Sequence, residues 1–180
     1  MKEISLDGEK TIRVYDGLFP LGFRSAAYEF ALASNFTIGW NDGVSDAQLK
    51  HKYLHSVFSA DDVERLGILQ FINGSEAAKE LDGYKLSKAI LNLTSSSDVH
   101  FTHVHGKEKI LLYYVNLVWE DGWHGETLFF DSACKDIVFA SPYTPGRLTV
   151  FQGDTPHAMR PQSIVADKFR FSLALFFDKC

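Results

Sequence analysis

From about residue 88 onward the chain is a run of short apolar and aromatic segments, AILNLT, VHFTHVH, ILLYYVNLVW, ETLFFD, DIVFASPY, RLTVFQG and FRFSLALFF, separated by turn-like joins. Segments this short and this rich in β-branched and aromatic residues pair as strands rather than wind as helices. The pattern predicts a closed antiparallel barrel or sandwich with helices packed outside it. The last segment constrains the fold further, because strand side chains alternate between two faces. Arg170, Ser172 and Ala174 share one face, and Phe171, Leu173, Leu175 and Phe177 share the other. One face is therefore a polar pocket wall, and the other meets a hydrophobic layer. A guanidinium keeps its charge and does not face a barrel interior without an anionic partner.

The first half reads as mixed. A strand is expected at TIRVYDGLF, a helix at FRSAAYEFALAS and a break at FTIGWNDGVSD. The stretch DAQLKHKYLHSVFSADDVERLGILQFI carries apolar residues at helical spacing, with SADD as a helix start, and SEAAKELDGYKLSKA suggests one more helix. The chain is expected to form a single domain over 1–180, with 1–87 mostly helical support and lid and 88–180 the β core that holds the site. This is an α+β, mainly β, fold.

Composition narrows the partners. Hydrophobic residues make up 46% against 23% charged, which suits a folded chain with a real core. A formal charge of −5 without a dense Lys/Arg run disfavours attraction to a nucleic-acid backbone. No apolar run approaches the ~20 residues of a membrane span. Cys134 and Cys180 do not form a spaced framework and MKEISLDGEK is not a secretory leader, so a cytoplasmic protein with free thiols is expected. The oligomeric state is left open.

Five of the seven histidines lie in the second half. In VHFTHVH the strand alternation puts His103 and His105 on one face and His100 on the other. A histidine pair on a strand also occurs as an ordinary surface feature, but His157 in GDTPHAMRP and the nearby Arg170 point to a mononuclear metal site with an anionic co-ligand. His51 and His55 stand four apart on the expected helix. Without the glutamate of an HExxH motif they read as solvated helix residues.

LLYYVNLVWEDGWHGETLFFD, TPGRLTVFQGDTPHAMRP and RFSLALFF occur in an order that resembles the iron(II)- and 2-oxoglutarate-dependent oxygenases, specifically the prolyl-4-hydroxylase-like group. The resemblance runs from AILNLT to FRFSLALFF, with a weaker match at VYDGLF and the following helix. It implies a double-stranded β-helix, or jelly-roll, core. It also implies an Fe(II) site that uses 2-oxoglutarate and dioxygen, with His103 as first ligand, His157 as distal ligand and Arg170 as the clamp on the co-substrate carboxylate. Tyr114 and Ser172 would help to hold that carboxylate. Oxidative decarboxylation of 2-oxoglutarate would then drive hydroxylation of a C–H bond in a small molecule or a peptide or protein side chain.

One departure from the family pattern is plain, because His-x-Asp or His-x-Glu is expected and the chain has His103-Val104-His105. Counting back from the tyrosine pair also puts His105 at the carboxylate position. Three neutral imidazoles would leave the ion its full 2+ charge and would also suit zinc. Glu108 and Glu126 are the carboxylates that could complete the site instead. Two other readings compete with the oxygenase. One is a cupin-like metal-binding barrel, whose motif spacing HVHGKE does not keep and which leaves Arg170 unexplained. The other is a degenerate, non-catalytic barrel that binds a small anion or a protein. Trp40, Trp123 and His124, in loop-like Gly/Trp settings, are candidates for a rim that touches substrate.

Overall fold

A computed structural model describes residues 1–6 and 10–180. In chain order the strands are β1 (Lys2–Ser5), β2 (Thr11–Tyr15), β3 (Thr37–Trp40), β4 (Tyr53–Ser59), β5 (Tyr84–Thr94), β6 (Lys109–Tyr114), β7 (Thr127–Phe130), β8 (Ile137–Ser141), β9 (Leu148–Gln152), β10 (His157–Met159) and β11 (Arg170–Lys179). The helices are α1 (Leu21–Ala33), α2 (Ala60–Leu66) and α3 (Ile68–Asn73). Eight strands form an antiparallel sheet in the order β1-β2-β9-β6-β11-β5-β4-β3, and three form a smaller sheet in the order β10-β7-β8.

Strand β11 lies inside the large sheet, between β5 and β6, and its alternation organises both layers. Phe171, Leu173, Leu175 and Phe177 point to the helical side and pack with Phe23, Ala27 and Ala31 of α1, Val63 of α2 and Ile68 and Ile72 of α3. The three α1 residues recur at four-residue spacing, so they form one apolar stripe along the helix. On the opposite face, Ala174 and Phe176 join Ile90, Ile110, Leu112 and Phe151 against Phe129 of the small sheet. Helices on one side and a second sheet on the other make the layered β architecture that the sequence pattern predicts.

The first half departs from its expected helical character. Residues 53–59 form β4, which pairs with β5 from Leu54 opposite Leu93 to Ser59 opposite Lys88. Pairing along a whole strand overrides the local helical spacing of apolar residues. His55 therefore lies on a strand, and His51 follows a short 3-10 turn at Gln48–Lys50, so the two do not share a helix face. The helix start at SADD is where it was expected: the Ser59 side chain accepts from Asp62 N, and Asp62 returns a contact to Ser59 N. Likewise SEAAKELDGYKLSKA contains a 3-10 turn at Ala78–Leu81 and then enters β5 rather than continuing as a helix. The stretch FTIGWNDGVSD holds β3. Four of the eight large-sheet strands thus come from residues before 60, and 1–87 is part of the sheet as well as its cover.

VHFTHVH is not a continuous strand. His103 forms an isolated antiparallel bridge with His157, with N···O distances of 3.0 Å in both directions, and His105 N donates to Gly153 O at 2.7 Å. Among the described residues, no helix is long and apolar enough to cross a membrane.

Leu175 is completely buried between the sheet and the helices. Leu175→Ala is expected to lower stability by about 2–5 kcal/mol through lost burial and the cavity left behind. Chemical denaturation monitored by tryptophan fluorescence measures this as a lower midpoint at unchanged slope.

Candidate metal and co-substrate site

The bridge between His103 and His157 draws two distant segments together at the mouth of the space between the sheets. Nδ1 of His103 lies 2.9 Å from Phe101 O, and Nδ1 of His157 lies 2.8 Å from Thr155 O. A carbonyl only accepts, so each Nδ1 carries the proton and each Nε2 keeps its lone pair for a ligand. His105 joins them from the same side. Ring centroids are 4.4 Å apart for His103 and His157, 5.0 Å for His103 and His105, and 5.1 Å for His105 and His157. One nitrogen from each of the three lies within 4.8 Å of the others. Three donors about 2.1 Å from one ion stand about 3.0–3.6 Å from one another, so the three nitrogens would have to close by about 1 Å to share a divalent cation.

Electrostatics favour the neutral, ligating form. Burial, followed by the neighbouring His103, lowers His105 to about 4, and burial with His103 and His105 lowers His157 to about 3. His105 is seated by the close approach of Gly153, where an added Cβ would lie 3.2 Å from the His105 Cβ and 2.9 Å from Glu108 O. Three converging imidazoles, with the tautomers of His103 and His157 fixed and His105 and His157 held neutral by burial, fit a divalent metal ion.

Arg170 lines the same cavity as the three histidines. It is only 1% exposed. Its Nε donates to Gly125 O at 2.9 Å and its Nη1 to Ser172 Oγ at 3.1 Å. The guanidinium carbon lies 4.8 Å from the Tyr143 ring centre and 5.4 Å from that of Tyr114, so the charge rests on aromatic faces. Gly125 has a φ of +85°, and a side chain there would come within 3.1 Å of the arginine Cδ. Burial lowers the Arg170 pKa, opposed by Tyr143, Tyr114 and Glu126, but a guanidinium remains charged. Among the described residues no carboxylate forms an ion pair with it. Glu126 pairs instead with Arg160 Nη1 at 3.6 Å.

The other sequence candidates divide. Ser172 lines the cavity and orients Arg170. Tyr114 lies beneath the guanidinium and donates its hydroxyl to Thr127 Oγ1 at 2.8 Å, so Thr127 rather than Tyr114 presents an oxygen to the cavity. Trp40 lines the cavity, whereas Trp123 packs edge-on against Trp119 at 5.2 Å and His124 bridges to Gln162. Neither Glu108 nor Glu126 belongs to the cluster of converging ligand atoms.

Sequence reasoning missed a buried trio. Asp42, in the turn after β3, accepts from the Tyr53 hydroxyl at 2.6 Å through Oδ1 and from His100 Nδ1 at 2.9 Å through Oδ2. Its Oδ1 is 3.8 Å from His103 Nε2. Burial alone would raise the Asp42 pKa, but the His100 contact, the neighbouring His103 and the Tyr53 hydroxyl outweigh it and lower it below the ordinary carboxylate range. Burial and Asp42 push the Tyr53 hydroxyl far up, so it stays a donor. His100 does not point away from the site, as strand alternation had predicted, because its segment is not a regular strand. It lines the cavity with an unpartnered Nε2. The only sequence signal for the trio was the acidic, turn-forming NDG that follows Trp40.

The two depressed imidazoles set a pH dependence. Their folded values lie below the unfolded value near 6.5, so the stability they contribute is complete above that value and falls as the pH drops towards about 4. Metal-free protein is expected to melt at a progressively lower temperature from pH 7 to pH 4.5. His105→Gln should flatten that slope, as thermal unfolding at several pH values will measure.

No protein-family model matches the chain, and no curated protein is similar to it in sequence. Solved structures are similar in fold. A prolyl-4-hydroxylase from Pseudomonas putida is 14% identical, with 94% of this chain and 92% of that one covered and a TM-score of 0.64. A prolyl hydroxylase from Trichoplax adhaerens, solved with a peptide fragment of the hypoxia inducible factor oxygen degradation domain, is 13% identical, with 93% and 83% covered and a TM-score of 0.64. A non-heme alpha-ketoglutarate-dependent epimerase from nogalamycin biosynthesis is 15% identical, with 93% and 76% covered and a TM-score of 0.67. The chain has the double-stranded β-helix fold of the 2-oxoglutarate- and Fe(II)-dependent oxygenases.

Proposed function

We propose that the protein is a non-haem Fe(II)- and 2-oxoglutarate-dependent dioxygenase that oxidises a C–H bond, with hydroxylation as the expected outcome. The observation that carries this reading is the buried, carboxylate-free Arg170 in one cavity with three converging imidazoles. A hydrolytic zinc site does not by itself require such a cation. A dicarboxylate that reaches from the metal to the guanidinium satisfies both. The fold shared with 2-oxoglutarate oxygenases supports the same assignment.

In this reading His103, His105 and His157 hold the ion, and Fe(II) with 2-oxoglutarate bound supplies the activation of dioxygen. Arg170 binds the distal carboxylate, Ser172 and the Gly125 carbonyl keep the guanidinium in its plane, and Thr127 adds a hydroxyl to the same wall. Ile110, Leu112, Phe151 and Phe176 keep water from the co-substrate chain. Trp40, which also lines the cavity, faces a small molecule or a peptide or protein side chain. The exposed, unpaired Cys134 and Cys180 fit a reducing compartment, which supports a cytoplasmic location. A cupin-like role or a non-catalytic anion-binding role leaves either the arginine or the three ordered imidazoles without a purpose.

Anaerobic addition of Fe(II) and then 2-oxoglutarate is expected to produce the visible charge-transfer band of a chelated complex. Arg170→Ala should weaken 2-oxoglutarate binding by about 30-fold or more, because it removes a buried charge partner. A wild-type protein with neither the band nor any affinity for 2-oxoglutarate would sink the proposal.

A further inference from the structure

We propose that Asp42 is the carboxylate of this metal centre, delivered across space from the turn after β3 and acting through a water molecule on the ion. The inference rests on the metal-site reading above. It concerns a residue outside the His-x-His strand position, where the related pattern expects its acid.

Charge is the first reason. Three neutral imidazoles leave a divalent ion with its full charge of two, and Arg170 adds one more in the same cavity. A bound dicarboxylate offsets two of these three positive charges, and one remains in a buried space. Among the acidic groups of the described residues, Asp42 is the only one that lines that cavity. A single carboxylate there restores neutrality, which a low-dielectric site demands.

Geometry is the second reason. Oδ1 of Asp42 lies 3.8 Å from His103 Nε2, the nitrogen left free by the bond from Nδ1 to Phe101 O. Asp42 is nevertheless not part of the group of atoms that lie within 4.8 Å of one another. It therefore flanks the ion on the side of His103 rather than closing the ligand set. That position suits an acceptor for a water bound to the ion, and it leaves the ion's open positions to co-substrate and dioxygen.

The third reason is how Asp42 is held. The Tyr53 hydroxyl and the His100 imidazole fix both of its oxygens, and its side chain is 3% exposed. An aspartate this buried, with two donors aiming it at a ligand nitrogen, is a positioned charge rather than a surface acid. His100 Nε2, buried and without a partner among the described residues, offers a second acceptor on the same side of the cavity.

The test measures binding of Co(II) and Fe(II) by anaerobic calorimetry together with the midpoint potential of the iron-loaded site. Asp42→Asn keeps the shape and removes the charge. It is expected to weaken divalent-metal binding by about 10–100-fold, the usual cost of losing an outer-shell partner, and to raise the Fe(III)/Fe(II) potential. Tyr53→Phe retains the charge and removes one of its two donors, so its loss should stay several-fold smaller. Metal-free melting curves check that each variant is folded. Asp42→Asn with wild-type affinity and potential overturns the proposal and leaves the oxygenase reading standing. Equal losses in Asp42→Asn and Tyr53→Phe, with no change in potential, also overturn it, since packing rather than charge would then be responsible. A wild-type protein that binds neither metal overturns both.

Discussion

The two-sided burial of β11 is the constraint on which the rest of the structure depends. From Arg170 to Phe177 the strand is buried on both faces, so each of these side chains must be satisfied by a layer. On one face Phe171, Leu173, Leu175 and Phe177 are met by the three helices. On the other, Arg170 and Ser172 occupy one end of the cavity wall, while Ala174 and Phe176 continue it in apolar form and Phe176 meets the His105 ring. The helical layer is thus what permits a charged residue at the end of a core strand. It anchors the strand with apolar burial that offsets the cost of holding a guanidinium away from water.

That cost is managed locally as well. The Gly125 carbonyl and the Ser172 hydroxyl take two of the guanidinium's donors, and two stacked phenol rings, 4.6 Å apart, lie beneath it. Tyr143 is in turn tied to the backbone at Asn116 and Phe171. These contacts orient the cation without neutralising it, so its field remains directed at the cavity. Glu126, which could have cancelled it, is held by Arg160. The carboxylate that does enter the cavity, Asp42, stands beside the imidazoles. The site therefore separates its charges, with a fixed cation at Arg170 that would receive an anionic co-substrate and a fixed anion at Asp42 beside the three imidazoles.

How much of this was legible in the chain depends on whether a feature is local. Alternation in FRFSLALFF is a property of consecutive residues, and both faces of β11 follow from it. The capping residues of SADD are likewise local, and α2 starts there. KYLHSVFS carries the spacing of a helix but forms β4, because its partner strand β5 lies distant in sequence and pairs along its whole length. The convergence of His103 and His105 followed from the alternation of VHFTHVH, although the segment turned out to be held by one bridge and a few loop contacts rather than a ladder. His100 shows the limit of that reasoning. Asp42 was not legible at all, since a turn aspartate in NDG looks the same whether it faces water or is carried by β3 and β4 to the edge of a metal site.

The arrangement of the three histidines bears on how an imidazole can stand where a His-x-Asp or His-x-Glu pattern has its acid. His103 and His157 are preset in the same way: each donates Nδ1 to the carbonyl two residues before it, and their backbones are bridged to each other. Nothing comparable fixes the ring of His105, whose backbone alone is tied, to Gly153, and whose ring rests edge-on against Phe176 at 5.2 Å. Two rigid donors define the position of an ion, and the third adapts to it. A carboxylate at the third position would have delivered ligation and charge together. With an imidazole there, the two tasks are separable: ligation stays on the strand, and charge can be supplied by a different segment.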